Sequence, residues 1–195
     1  MNEKKNLTIK ETFTLAVQNH QKNNLRVAEK LYKAILEINP SYAPAHNNLG
    51  LIFYAFGEFQ KAINSYQKAI QIQPNLASAH HNLGLAYDKL GEHKKAISCF
   101  QKAIEISPNH ASAHNNFGNV LRKLGKHKKA INCCQKAIQI QPNYAEAHNN
   151  LGVVFNELGE DQKAISSFQK AIQINPSYAS AHNNLGAIFM QLGKL

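Results

Sequence analysis

Five prolines divide the sequence at a constant interval. Pro40, Pro74, Pro108, Pro142 and Pro176 are separated by 34 residues each time, with no insertion or deletion between them. A fixed period of this length is typical of repeat architectures, in which each repeat is one supersecondary unit. The period therefore decides the fold class before any other feature is considered.

Each unit reads as a helix, a tight turn and a second helix. In the second unit, apolar residues from Leu49 to Phe56 recur at helical spacing, and Gly57 interrupts them. A second helical stripe runs from Ala62 to Ile72. Pro74 ends it, because proline cannot continue a helix. Since one unit alone cannot bury both stripes, we expect the units to stack.

Recurring polar residues and glycines predict where the helices begin and end. The residue directly after each proline is predicted to cap the following helix, because Ser and Asn are favoured N-caps. These residues are Ser41, Asn75, Asn109, Asn143 and Ser177. Asn143 with Glu146, and Thr8 with Glu11, also have the spacing of a capping box. The glycines at 57, 91, 125, 159 and 193 lie where the first helices should end.

The residues of the unit match a known signature. Leu49-Gly50-x2-Phe53, Ala62-x3-Tyr66 and Pro74 resemble the W-x2-L-G-x2-Y, A-x3-F and P pattern of the tetratricopeptide repeat. The resemblance covers repeats 9–42, 43–76, 77–110, 111–144 and 145–178 and a partial repeat 179–195, after an N-terminal tail of residues 1–8. It implies an all-α, right-handed superhelical solenoid of antiparallel helix pairs. One departure is consistent, because an aromatic slot of the family holds His46, His80, His114, His148 and His182.

Histidine and cysteine could form a metal or catalytic site, but their spacing disfavours both. Equivalent residues of stacked repeats lie at least one helix packing distance apart, about 8–10 Å, whereas zinc needs ligands at about 2 Å. We therefore expect each histidine to pack between helices and to hydrogen-bond through one nitrogen. Cys99, Cys133 and Cys134 are interpreted as small core residues. We predict no metal, no cofactor and no catalytic residue.

The charge and the apolar runs exclude several classes of protein. The net charge is +10, but the basic residues fall at turns and on the outer face of one helix per repeat, without aromatic interleaving. This pattern favours a solvated surface over a nucleic-acid interface. The longest apolar run is far shorter than the roughly 20 residues of a membrane span, and the first residues lack the apolar core of a secretory signal. We expect a cytoplasmic protein that binds neither nucleic acid nor a membrane.

The second asparagine of the recurring A-H-N-N-L-G stretch is the strongest candidate for binding. It recurs as Asn48, Asn82, Asn116, Asn150 and Asn184. In the family that this chain resembles, first helices line a concave groove, where an amide offers a donor and an acceptor to a peptide backbone. A structural hydrogen bond to a neighbouring helix, or a copy retained from recent duplication, would explain the row equally simply. Asn119 lies one helical turn after an asparagine of this row, and Lys89 and Lys123 lie two turns after. These three residues complete the predicted groove.

The sequence thus predicts a protein-interaction scaffold that binds an extended peptide segment and catalyses nothing by itself. As an alternative, the repeats resemble the N-terminal substrate-recognition arm of O-linked N-acetylglucosamine transferases and of bacterial repeat–transferase fusions. In that case a glycosyltransferase or sulfotransferase domain would follow Leu195. Because the final repeat contains only a first helix, Ile188, Phe189 and Leu192 have no helix of their own repeat to cover them. We therefore expect either a longer protein or self-association through the open C-terminal end.

Overall fold

The computed structural model describes residues 7–193. Residues 1–6 of the predicted tail, and residues 194–195, lie outside the described residues. The described chain contains eleven α-helices, and the all-α prediction is confirmed. They are α1 (Ile9–Gln21), α2 (Leu25–Ile38), α3 (Ala43–Ala55), α4 (Phe59–Ile72), α5 (Ala77–Lys89), α6 (His93–Ile106), α7 (Ala111–Lys123), α8 (His127–Ile140), α9 (Ala145–Glu157), α10 (Asp161–Ile174) and α11 (Ala179–Gln191).

The helices form two compact units, Met1–Lys95 and Ala96–Leu195, with the boundary inside α6. In the N-terminal unit, consecutive helices from α1 to α5 pack on one another, and α3 also contacts α5. In the C-terminal unit, consecutive helices from α7 to α11 do the same, and α9 also contacts α7 and α11. Helices joined by turns this short are antiparallel neighbours. The odd-numbered helices of each unit, here called the first helices, therefore lie side by side.

Small residues allow the two helices of a repeat to approach closely. A Cβ built on Gly50 would lie 2.5 Å from Cε1 of Tyr66, and one on Gly152 would lie 2.6 Å from Cε1 of Phe168. Both rings are almost fully buried. The glycine of the family signature is thus required because the ring of the second helix occupies the space of a side chain.

The first helices begin one residue later than their predicted caps require. Their N-caps are Tyr42, Leu76, His110, Tyr144 and Tyr178, not the serines and asparagines directly after the prolines. The reason is a turn that recurs in all five repeats, in which the backbone N–H of the residue two after the proline donates to the carbonyl oxygen of the residue before the proline at 3.0–3.2 Å. The residue directly after the proline lies inside this turn, and the residue that closes the turn is the N-cap. The predicted capping box of Asn143 and Glu146 is also wrong, because the N-cap of α9 is Tyr144.

Two other predictions about helix ends are confirmed. Thr8 and Glu11 form both bonds of a capping box at the start of α1. Gly57 follows the end of α3 with φ of +76°, a left-handed conformation that favours glycine.

The last helix is better covered than the sequence suggested. Ile188 is 1% exposed and packs with Ile165 and Phe168, so it is buried without a second helix of its own repeat among the described residues. Helix α10 of the preceding repeat covers it. Within residues 7–193, none of the helices combines the length and the apolar character needed to cross a membrane.

Candidate peptide-binding face

The predicted groove residues lie on the first helices, divided between the two units. Asn48, Asn82 and Lys89 belong to α3 and α5 of the N-terminal unit. The C-terminal unit holds Asn116, Asn119, Lys123, Asn150 and Asn184, on α7, α9 and α11. Because the first helices of a unit are neighbours, these side chains form part of one surface in each unit, here called the first-helix face.

The asparagines of the N-terminal unit form a continuous chain of hydrogen bonds. Nδ2 of Asn82 donates to Oδ1 of Asn47 at 3.1 Å. Nδ2 of Asn47 donates to Oδ1 of Asn48 at 3.2 Å, and Nδ2 of Asn48 donates to the hydroxyl of Tyr32 at 3.2 Å. Burial raises the pKa of Tyr32, so the hydroxyl stays protonated at neutral pH. Four side chains from three repeats are therefore linked, and all three amides donate in the same direction.

The C-terminal unit repeats the arrangement. Nδ2 of Asn150 donates to Oδ1 of Asn115 at 2.9 Å, and Nδ2 of Asn184 donates to Oδ1 of Asn149 at 3.0 Å. Each bond spans 35 residues, as between Asn82 and Asn47. Nδ2 of Asn115 also donates to Oε1 of Glu146 at 3.0 Å. We call the three bonds that span 35 residues the asparagine ladder.

The acceptor residues of the ladder were not predicted from the sequence. The acceptors Asn47, Asn115 and Asn149 are the first asparagines of the A-H-N-N stretch, and all three are buried. The signal was present, because the first asparagine recurs with the same period as the second in four of the five copies, and His81 takes its place in the other. What the sequence does not contain is the stagger between neighbouring first helices, which places residue i beside residue i+35.

The remaining groove residues differ in exposure. Oδ1 of Asn119 accepts a hydrogen bond of 3.1 Å from Nη2 of Arg122, which also pairs with Glu157 of the next first helix. Lys89 and Lys123 are exposed and are the last residues of α5 and α7. These two lysines thus place positive charge at the ends of the first helices, whereas the carboxylate of Glu146 contacts the ladder residue Asn115.

The recurring histidines hydrogen-bond to the backbone of the preceding turn. In each case Nε2 lies 2.8–3.0 Å from the carbonyl oxygen of the proline six residues earlier. Since a carbonyl oxygen can only accept, Nε2 must carry the hydrogen. The predicted bond through one ring nitrogen is confirmed, and it holds each first helix to the proline turn before it.

The three cysteines have the character of core residues. Cys134 is fully buried, and its sulfur would lie 3.1 Å from a Cβ built on Gly118. Burial raises the pKa of Cys99 and of Cys133 to about 11, and that of Cys134 to about 12. All three are free thiols that stay protonated at neutral pH. In the described part of the chain, His, Cys, Asp and Glu do not come together in any group of three that could hold a metal ion.

Comparisons with known proteins agree with this geometry. A family model described as TPR repeat matches residues 50–91, 118–159 and 154–193, and two models described as tetratricopeptide repeat match residues 77–110 and 99–132. No curated protein gives a significant match to the sequence.

Several solved structures are similar. A crystal structure of MamA has 27% sequence identity and a TM-score of 0.73, over 84% of this chain and 96% of that one. YrrB, described as a TPR protein with an unusual peptide-binding site, has 25% identity and a TM-score of 0.69, over 89% of each chain. A thermophilic TPR protein of Thermus thermophilus, TTC0263, has 20% identity and a TM-score of 0.78, over 94% of this chain and 100% of that one. This last likeness concerns the fold alone.

Proposed function

Because this chain belongs to the tetratricopeptide repeat family, we propose that it is a protein-interaction scaffold whose first-helix face binds an extended segment of a partner protein. Family membership and the similar structures support the scaffold role. The choice of the first-helix face rests on the asparagine ladder and on the rows of side chains beside it.

The observation that carries the proposal is the unused bonding capacity of the ladder. An asparagine amide has two N–H groups and an oxygen with two lone pairs. The bond from Asn150 to Asn115 uses one N–H, and so does the bond from Asn184 to Asn149. Both donors are only partly buried. Their second N–H and their Oδ1 are available to the alternating donors and acceptors of an extended backbone, while the ladder holds the amides in place.

The side chains one turn from the ladder would give selectivity. Leu51 and Leu85 are partly buried apolar residues of α3 and α5, and Asn119 is their polar counterpart in α7. Lys89 lies one turn beyond Leu85. The N-terminal unit therefore favours a segment with apolar side chains and an acidic residue.

Peptide selection followed by mapping tests this proposal. Random peptides displayed on phage are selected against the purified chain, and a selected peptide is titrated while backbone amide shifts are recorded by NMR. We expect the largest shift changes on α3, α5, α7, α9 and α11. Largest changes on the second helices alone would exclude the first-helix face.

Surface variants give an independent test. Leu85→Glu and Lys89→Glu should each weaken binding of a selected peptide about fivefold or more, which corresponds to about 1 kcal/mol. Lys68→Glu, an equally exposed charge change on α4, is the matched control and should leave the affinity unchanged.

A scaffold of this kind needs no catalytic site of its own. We propose that the chain by itself catalyses nothing, and that its partner is a protein or peptide. Turnover of a nucleotide sugar or of a peptide by the purified chain, abolished by one substitution, would contradict this. The alternative of a recognition arm stays a prediction, which the gene sequence downstream of Leu195 tests directly.

Self-association remains a separate proposal, supported by one feature of α11. Among the described residues nothing lies within 4 Å of a Cβ built on Gly186, although rings fill this space at Gly50 and Gly152. Met190 of the same helix is 67% exposed. Sedimentation of the wild type and of Met190→Lys tests the proposal, since a monomer at all concentrations in both would exclude it.

A further inference from the structure

The fourth repeat differs from the others in charge. Residues 106–145 contain no Asp or Glu, and they carry six basic residues. These are Arg122, Lys123, Lys126, Lys128, Lys129 and Lys136. Arg122 is neutralised by Glu157 of the next repeat. Three of the remaining lysines are consecutive or nearly so, at the turn into α8.

In other repeats the lysine at the start of the second helix has two partners. Lys163 forms an ion pair with Glu160 and lies 5.4 Å from the ring centre of Phe155. The same two contacts recur in the N-terminal unit, where Lys61 lies 2.8 Å from Glu58 and 5.7 Å from the ring centre of Phe53. Each such lysine is therefore largely neutralised within its own repeat.

The fourth repeat has lost both partners. Lys126 stands in place of the glutamate, and Leu121 in place of the aromatic residue. Within residues 7–193, Lys126, Lys128 and Lys129 have no ion pair and no ring contact. All three are exposed. Three positive charges are thus concentrated here without compensation.

These charges surround a hollow that could hold a ligand. It has a volume of about 630 Å³ and is lined by Gly125, Lys126, His127, Lys128, Lys129 and Leu158. Leu158 is 44% exposed and supplies an apolar wall. An equivalent hollow of the same unit, lined by Gly159, Glu160, Asp161, Gln162, Lys163 and Leu192, has acidic residues at the corresponding positions. The same local geometry therefore carries opposite charge in neighbouring repeats.

The histidine of the hollow lacks an acidic neighbour that its counterpart in the previous repeat has. Nδ1 of His127, like Nδ1 of His93, is buried and has no hydrogen-bond partner among the described residues. At the equivalent position of the previous repeat, Nδ1 of His93 lies 3.0 Å from the carboxylate of Asp88. In the fourth repeat Arg122 stands in place of that aspartate, so the repeat supplies no carboxylate to offset the positive charge around His127.

We propose that this basic hollow docks an acidic segment of a partner protein, in which an apolar side chain packs on Leu158 between carboxylates that pair with Lys126, Lys128 and Lys129. A protein segment is favoured over nucleic acid because the charges are confined to one short turn. No aromatic residue lines the hollow to stack on a base. This docking site does not depend on the peptide-binding role of the first-helix face.

Fluorescence anisotropy with a labelled Glu-Glu-Leu-Glu-Glu peptide tests the proposal on the full chain. We expect saturable binding that weakens as salt is raised, because exposed charges are screened. Replacing the glutamates by glutamine, or the leucine by serine, should each reduce the affinity. An oligonucleotide of equal charge should bind more weakly than the peptide, and tighter binding of the oligonucleotide would overturn the proposal.

An exchange between repeats provides the decisive variant. Lys126→Glu, His127→Asp and Lys128→Gln together give the fourth repeat the residues of the fifth, which fold in that position. The affinity for the acidic peptide should fall about tenfold or more. Lys136→Glu with Lys170→Glu makes the same change in net charge elsewhere in the unit and should retain binding. Equal loss in both variants, or no loss in the exchange variant, would overturn the proposal.

Two further variants keep the test decisive. Lys126→Gln with Lys128→Gln removes charge without adding any, so it serves if the exchange variant does not fold, and it too should weaken binding. The reciprocal exchange, Glu160→Lys, Asp161→His and Gln162→Lys, should create a second hollow and raise the stoichiometry to two peptides per chain. An unchanged stoichiometry would show that the hollow itself is not the site.

Discussion

The side-chain amide of Asn82 donates a hydrogen bond of 3.1 Å to Oδ1 of Asn47, from one first helix to the next. Both residues are more than 90% buried. A buried acceptor that loses its donor retains its desolvation cost without compensation. The amide of Asn82 is therefore part of the interface between repeats, whatever else it binds.

We predict that Asn82→Ala destabilises the protein by about 1–3 kcal/mol, because it leaves Oδ1 of Asn47 buried without a donor. Urea unfolding measures the change. Asn47→Ala with Asn82→Ala should cost less than the sum of the two single variants. If the amide served only ligand, alanine would instead raise the stability by up to about 0.7 kcal/mol, since it is the better helix former.

The second prediction contrasts two glycines of the same signature position. Gly152→Ala should destabilise the protein by about 1–3 kcal/mol, because the new methyl group would overlap the ring of Phe168. Gly186→Ala meets no atom within 4 Å and should be neutral or stabilising by up to about 1 kcal/mol. Thermal unfolding of both variants checks this, and equal effects would contradict the packing described at Gly152.

The third prediction concerns pH. Nδ1 of His110 accepts a hydrogen bond of 3.4 Å from the backbone N–H of Ala113 and so caps α7. Burial, aided by the nearby His114, lowers the pKa of His110. A protonated Nδ1 cannot accept, so the cap is intact above the unfolded-state pKa of about 6.5 and its contribution is lost as the pH falls below that value.

Measurement of the free energy of unfolding between neutral pH and pH of about 5 tests this expectation. The wild type should lose more stability than His110→Tyr, which carries the residue found at this place in three other repeats. The difference should be at most about 1 kcal/mol, the usual value of a helix cap. Parallel pH profiles of the two proteins would exclude His110 as a cap that depends on pH.

The fourth prediction concerns the thiols. Because burial raises the pKa of Cys133 to about 11, its thiolate is about 100-fold rarer at neutral pH than that of a free thiol with a pKa near 9. Labelling with iodoacetamide should be correspondingly slow in the native protein and fast in urea. Rapid labelling of Cys133 in the folded state would mean that the thiol is activated.

The sequence was sufficient for the helices because the repeat reinforces each local signal. A glycine follows each first helix at the same position of the repeat, as Gly57 does after α3, and its positive φ ends the helix. The hydrogen bond from His46 to the carbonyl oxygen of Pro40 spans only six residues. The sequence therefore predicted that the ring would form one hydrogen bond, although it did not identify the acceptor. Both features depend on residues that are close together in the sequence, within one turn and the helix beside it.

Contacts between repeats were harder to predict from the sequence. The caps were displaced by one residue because each proline and the residue after it lie inside a backbone turn, which the following residue closes, as Tyr42 does onto the carbonyl oxygen of Asn39. The pairing of Asn82 with Asn47 depends on how far neighbouring helices slide along one another. That stagger is decided by how α5 packs on α3 and α4, and not by the local sequence.

The constant offset of the ladder has a consequence for how such a chain can grow. Each rung joins a residue to another that lies one repeat and one position earlier, and it always donates toward the N-terminus. Duplication by unequal recombination of a repeat that contains A-H-N-N would therefore bring its own donor and its own acceptor, whereas a copy of the third repeat would bring His81 in place of the acceptor. A copy of the first kind extends the ladder by one rung, so the array can gain or lose such a repeat and keep each buried amide oxygen of the ladder paired with a donor.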